Sequence, residues 1–301
     1  MFDENEIKRN IPVESPVQPR ELGLESEFQF SCHKGIACFN ACCKNIDITL
    51  TPYDIIRLKN RLGLDSREFV ARYTMPFAMD YHNMPGLKMV TKSGTTECIH
   101  LSEDGCGVYD DRPAACRYYA LGSMGVRKKE SSSVDDIYFM VKEEHCLGHF
   151  EPRKQTVAQY RHEQGIEKYD EMNREWRDIV LKKRSSGPTV GAPSRRSLQL
   201  FDMCSYDMDS FAEFIQSKGF RSIFSIADEE TRELMDDEEK RLLFAMRFLK
   251  QVLFGEKTIP MYENARGQRI VERKEVWSRR EEKAARQWRE QQEKSKFDED
   301  E

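Results

Sequence analysis

The chain has 301 residues, 34% of them charged and 39% hydrophobic, and 48 Lys and Arg against 53 Asp and Glu leave a net charge of −5. That length buries a sizeable core in one large or two modest domains. The mild charge argues against a nucleic-acid binder, and no apolar run approaches the roughly 18 residues needed to cross a bilayer.

The opening MFDENEIKRN carries acids and no apolar h-region, which argues against a secretory signal and places the protein in the cytoplasm. Residues 1–20 are polar, with Pro12, Pro16 and Pro19, and read as a flexible N-terminus. FQF before Cys32 and IDITL after Lys44 are each expected to form a brief strand. A helix starts at Thr51: threonine caps, Pro52 suits the first position, and Asp54 complements the free amides. Ile55, Leu58 and Leu62 recur at helical spacing, and Gly63 suits the stop. SREFVARY reads as a second short helix. Residues 74–97 look irregular apart from a strand at LKMVT. DDRPAACRYYA reads as a helix entered through an aspartate cap and Pro113. IYFMV (137–141) reads as a strand, and residues 154–183 as a long helical region broken near Gly165.

RSSGPTVGAPSRRS (184–197) reads as a linker. Beyond it, residues 198–260 form a helical extension in which Leu242, Ala245, Met246, Leu249, Val252 and Leu253 share one face. Such stripes are core packing rather than a cofactor box. Residues 261–301 read as a charged helical or disordered tail. Its i,i+4 pairs, such as Glu275–Arg279, contribute a few tenths of a kcal/mol each. A solvated helix accounts for it better than a partner-binding one. If the chain has a protein partner, the C-terminal helices are where it is expected. Neither nucleic acid nor a membrane is an expected partner.

The cysteines carry the chemistry. Eight of the nine lie between residues 32 and 146. In a reducing compartment clustered thiols bind metal or do redox work rather than form disulfides. Cys204 stands apart and reads as a small buried hydrophobe. The first group is C-x5-C-x3-C-C, the second C-x7-C-x9-C, with Cys146 after 29 intervening residues. Zinc and iron sites in sulfur usually take four ligands. Eight thiols therefore allow two four-sulfur sites or one larger composite site. In an extended segment Cys42 and Cys43 point to opposite sides. They then serve different metal atoms, or one binds while the other packs nearby. The spacing matches neither a zinc ribbon nor the tight C-x2-C-x2-C ferredoxin run. Iron–sulfur, with [4Fe–4S] favoured, is the leading cofactor and zinc the alternative. His33, His100, His145 and His149 lie near cysteines as substitute ligands, sulfur neighbours or ordinary residues. Arg112 and Arg117 flank Cys116, either offsetting thiolate charge or pairing with Asp110 and Asp111.

The stretches CHKGIACFNACC, TPYDIIRLKNRLGLDSREFVARY, CIHLSEDGCGVYDDRPAACRYYAL and HCLGH resemble the cysteine-cluster family of zinc- or iron-chelating proteins (CxxCxxCC type, YkgJ-like) over about residues 28–165. The resemblance implies eight metal-ligating cysteines: Cys32, Cys38, Cys42, Cys43, Cys98, Cys106, Cys116 and Cys146. Ala120 departs from it, since relatives often carry proline nearby. A related branch, the flagellin lysine methylases, keeps a methyl-transferring enzyme as an alternative. A structural zinc module presenting the C-terminal helices is another. No G-x-G-x-x-G after a strand, Walker A loop or G-x-S-x-G elbow is present. Asp104, Tyr109, Tyr118 and Tyr119 lie near the thiols, as acid–base groups or equally as ordinary turn and core residues, and catalytic residues remain unassigned. The whole reads as α+β and helix-rich: a metal-binding domain with short strands at residues 21–183, then the α-helical extension, with an electron-transfer or redox role.

Overall fold

A threonine, a proline and an aspartate fix where the first helix begins. In the computed structural model, which describes residues 16–17, 20–80, 83–127, 134–185 and 193–263 with single positions at 265, 267, 278, 282 and 286, α1 spans Pro52–Leu62. The Thr51 hydroxyl accepts from the Asp54 amide, and the Asp54 carboxylate accepts from the Thr51 amide at 2.7 Å. This reciprocal cap satisfies two amides that have no partner within the helix. Gly63 ends α1 at φ 66°, the left-handed region that favours glycine. Asp65 caps α2 (Ser66–Tyr73).

The strands are short and lie in small antiparallel sheets. β1 (Glu27–Gln29) pairs with β9 (Lys154–Thr156). β4 (Pro85–Met89) sits between β2 (Thr49–Leu50) and β3 (Thr74–Ala78). β5 (Leu101–Ser102) and β6 (Gly105–Cys106) form a tight hairpin, and β7 (Leu121–Arg127) with β8 (Val134–Met140) a longer one. The expected irregular run at 74–97 thus contains a further strand, β3. Pro76 lies on this edge strand, where a missing N–H costs no ladder bond.

Between β6 and β7 lies α3 (Ala114–Tyr118). α4 (Val157–Glu163) and α5 (Ile166–Ser185) are separated at Gly165, which has φ 62°. Then come α6 (Arg195–Tyr206), α7 (Met208–Gln216), α8 (Lys218–Arg221), α9 (Asp228–Asp236) and α10 (Glu238–Phe254), the last stopped at Gly255 with φ 71°. The chain is α+β and helix-rich. Most of the N-terminal segment and of the 261–301 tail, and half of the 184–197 linker, lie outside the described residues.

Two compact units form, Met1–Glu213 with Arg232–Thr258, and Phe214–Thr231 with Ile259–Glu301. In the first, α10 packs on α6 and α5, and α1 packs on α5, α6 and α10. Tyr53 meets Tyr169 edge-on at 5.0 Å, and Phe211 lies against Phe244 and Phe248. Each such side chain stabilises by about 1.5–3 kcal/mol on burial. Cys204 is fully buried here, as expected of a small hydrophobe. Polar ties join the N-terminal helices to the C-terminal ones. The Tyr53 hydroxyl donates to Glu239 at 2.6 Å, and the nearly buried Lys59 pairs with Glu238 at 2.8 Å. A second apolar cluster joins Phe28, Phe30, Tyr118, Tyr138, Val157 and Tyr160, and reaches Cys146. In the other unit, Phe220 stacks on Phe224 at 4.5 Å and meets Phe214 edge-on. A bridge between Phe224 and Met261 ties its two segments.

Candidate metal centre

Local turns set the cysteines of the first group. After Cys32 the chain bends through bonds from Ile36 N to His33 O and from Phe39 N to Ile36 O, with Ile36 buried as an anchor. Asn40 takes φ 65°, and Ala41–Cys43 forms a 3-10 turn. The vicinal cysteines are therefore not in extended chain, as their spacing had suggested. Successive residues of a 3-10 turn still project about 120° apart.

Three other segments come to meet this one. The Ser31 amide donates to Gly148 O at 3.1 Å, and the Leu147 amide donates to Cys38 Sγ at 3.2 Å, which brings Cys146 beside Cys32 and Cys38. A Cβ at Gly148 would lie 2.6 Å from the Phe30 ring and 2.7 Å from Ser31 O, so only glycine admits this approach. The Cys98 amide donates to Cys43 O at 2.8 Å, and the Thr96 hydroxyl donates to Lys44 O at 2.7 Å. The β5–β6 hairpin then sets Leu101 opposite Cys106. Cys116 lies on α3, whose first amide, that of Ala114, donates to Asp54 at 2.8 Å. The aspartate that supports α3 is therefore the α1 cap, 60 residues earlier in the chain, and not a neighbour of Pro113. Asp54 is fully buried and serves two helix starts at once.

Main-chain bonds thus join the segment of Cys32–Cys43 to those of Cys98 and Cys146, and all eight expected cysteines are free thiols. Cys32 and Cys42 are exposed and Cys146 is buried, with the other five between. Residues 31–147 match the sequence model of the CxxCxxCC family, described as a zinc- or iron-chelating domain. Over residues 31–147 the chain is similar to that family. No curated protein and no solved structure matches it.

The sulfurs feel one another. Burial, then the charges of Cys42, Cys38 and Cys146, push Cys32 up to about 11. A hydrogen bond from Cys43 holds Cys42 down to about 7 and drives Cys43 far up, with Cys116 and Cys98 adding to the rise. Burial likewise raises Cys98, Cys106, Cys116 and Cys146. Among the described residues, no three or more His, Cys, Asp or Glu side chains close round a common ion position. The thiols are gathered, and closure on a metal would accompany loss of their protons.

Whether these surroundings suit an anionic metal–thiolate group turns on two side chains. Arg112 is 8% exposed, its guanidinium bonded to Tyr109 O at 2.7 Å and to Gln164 Oε1 at 2.5 Å and stacked on the Tyr109 ring. No carboxylate among the described residues pairs with it: Asp111 goes to Arg57, and Arg117 bonds the Asp110 carbonyl. Its charge acts instead on Cys32 and Cys106. A buried cation without a counter-ion is costly, and thiolates would supply one. The buried Tyr119 hydroxyl finds no aligned hydrogen-bond partner and lies beside Cys146 and Glu143. Eight soft donors with these two neighbours fit zinc or iron held by sulfur.

Arg117 has a different task. It donates to the carbonyls of Arg112, Gln164 and Asp110 and lies over Tyr169, so it braces the chain around the Arg112–Cys116 turn. Of the histidines, His33 pairs with Glu151 at 3.2 Å and His145 with Glu143 at 3.5 Å. His149 Nε2 lies 3.1 Å from Val141 O, and His100 stacks on Tyr73. The Tyr119–Ala120 peptide is cis. Gln164 and the double role of Asp54 carry no local signal in the sequence, since both act on segments distant in the chain.

Proposed function

We propose that Cys32, Cys38, Cys42, Cys43, Cys98, Cys106, Cys116 and Cys146 hold iron–sulfur, with [4Fe–4S] favoured, and that the protein works in electron transfer or redox chemistry. The observation that carries the reading is a gathering of eight thiols at a partly exposed face of a chain that has its own large apolar core. A module that depends on zinc to fold lacks such a core. Here α1, α5, α6 and α10 pack without help from the sulfurs, which favours a working centre over a structural staple. A bound iron–sulfur group supplies reversible one-electron chemistry. The chain's residues would tune it: Arg112 offsets thiolate charge, Tyr119 offers a hydroxyl to Cys146, and exposure at Cys32 and Cys42 leaves the centre reachable. A cytoplasmic setting would keep the thiols reduced until they bind.

Purification without oxygen tests this. The full chain is expected to be coloured, with broad visible absorbance, and to contain iron with acid-labile sulfide. Colourless protein holding stoichiometric zinc and no iron overturns the iron–sulfur reading.

A further inference from the structure

We infer that Met89 is a ninth sulfur donor of the metal centre, its thioether binding the same metal atom as Cys98. The inference rests on the reading that Cys98 binds metal, and it deepens that reading by adding a ligand of another kind.

The strand fixes where this side chain goes. Met89 ends β4, the middle strand of its sheet, opposite Thr74, and its amide donates to Ile48 O at 2.9 Å. Strand alternation puts Leu87 and Met89 on the inner face, both buried, and Lys88 on the other, where it pairs with Asp47 at 2.6 Å. The chain then turns back. The Lys92 amide donates to Glu97 O at 2.8 Å, and Thr91 bridges Cys98. That hairpin returns Cys98 to the end of β4, and the Cys98 amide ties it to Cys43 O. The two sulfurs meet there, the Cys98 thiol donating to Met89 Sδ at 3.5 Å.

A buried methionine commonly does no more than fill space. Here the sulfur itself meets a thiol of the ligand set, at a separation that suits a shared ion. Two sulfurs about 2.3 Å from one metal at the tetrahedral angle stand roughly 3.8 Å apart, against 3.5 Å between Cys98 and Met89. When Cys98 binds, its proton passes to water and the ion takes the proton's place between the two sulfurs. A thioether is a soft donor like the thiolates, but it loses no proton and adds no negative charge. It therefore strengthens a crowded anionic site without raising the demand for counter-ions, of which the buried Arg112 is one. A lone ion, or an iron of a two-iron cluster, takes Met89 in a regular place. On an iron of a four-iron cluster it is an added ligand.

The test makes the full chain with selenomethionine in place of methionine and records X-ray absorption at the metal edge. Samples are loaded with iron and sulfide without oxygen, and separately with zinc alone. Selenium scatters far more strongly than sulfur, so a thioether in the first shell is told apart from the thiolates. The wild-type chain is expected to show selenium at bonding distance from the metal. The chain has 13 methionines, so variants assign the signal. Met89→Leu should abolish it while the metal stays bound, and Met84→Leu, which removes another buried methionine, should leave it. Unlabelled Met89→Leu should also give up its metal to a chelator about 10-fold more readily, at the lower end of the range for groups near a metal. Circular dichroism checks each fold, and Met89→Ile serves if Met89→Leu does not fold. Bound metal with no selenium in its first shell overturns the inference without any variant, and so does a selenium signal that survives Met89→Leu. Uptake of zinc but not iron overturns the iron–sulfur reading, while selenium beside the zinc still supports Met89 as a donor. A wild-type chain that takes up no metal ends both.

Discussion

Asp54→Ala is expected to destabilise the metal-free protein by about 2–4 kcal/mol in urea unfolding, because two buried amides at two helix starts lose their acceptor. The Thr51 and Ala114 amides both donate to this carboxylate, and water cannot replace it at a fully buried site. Asp47→Ala removes an exposed carboxylate paired with Lys88 and should change stability by less than about 0.5 kcal/mol. Asp54→Asn keeps an acceptor and should fall between. Burial pushes the Asp54 carboxyl up from 3.8 to about 6, against the hydrogen bonds and the Arg117 charge. The folded state therefore holds this proton more tightly than the unfolded one. The resulting stabilisation is present below pH 3.8 and lost as pH rises through about 6. Asp54→Asn should remove that slope, seen as the difference between the two unfolding profiles. Equal stability of Asp54→Ala and Asp47→Ala would show that the shared cap does not hold α3 to α1.

Arg112→Met is expected to weaken metal binding by about 10–100-fold, the range typical of groups just outside a metal's ligands, measured by chelator competition. The sign of the electrostatic part depends on the loading state. With neutral thiols the buried guanidinium has no counter-ion, so its removal costs the metal-free protein little beyond the hydrogen bonds to Tyr109 and Gln164. With thiolates bound to metal, the same removal leaves negative charge uncompensated. Stability should therefore drop more in the loaded protein than in the metal-free one. Equal drops in the two states would make Arg112 a structural brace like Arg117.

The parts of the fold written in local chemistry were legible in the sequence. Thr51, Pro52, Asp54 and Gly63 bound α1, Gly165 separates α4 from α5, and Gly255 ends α10. Each signal acts within a few residues of itself. β3 was missed because Pro76 sits inside it, and only its place at a sheet edge makes that residue harmless. The aspartate expected to cap α3 was sought beside Pro113, whereas the acceptor is Asp54, folded in from α1. The vicinal cysteines were read as extended and lie in a 3-10 turn. The choice between the two accounts of the arginines could not be made from spacing. It needed Asp111 to be seen taken by Arg57, and Arg112 bonded to Tyr109 O and Gln164. The thiols themselves were visible as a cluster. Their convergence depends on bonds such as Leu147 to Cys38, between residues too far apart in the chain for periodicity to connect.

X-ray absorption at the metal edge, on the full chain purified without oxygen, addresses the gathering of sulfurs most directly. The expected spectrum shows a first shell of sulfur alone, four per metal, near the ~2.3 Å typical of metal–thiolate bonds in zinc sites. A first shell of nitrogen and oxygen, or a chain that holds no metal, would contradict the account.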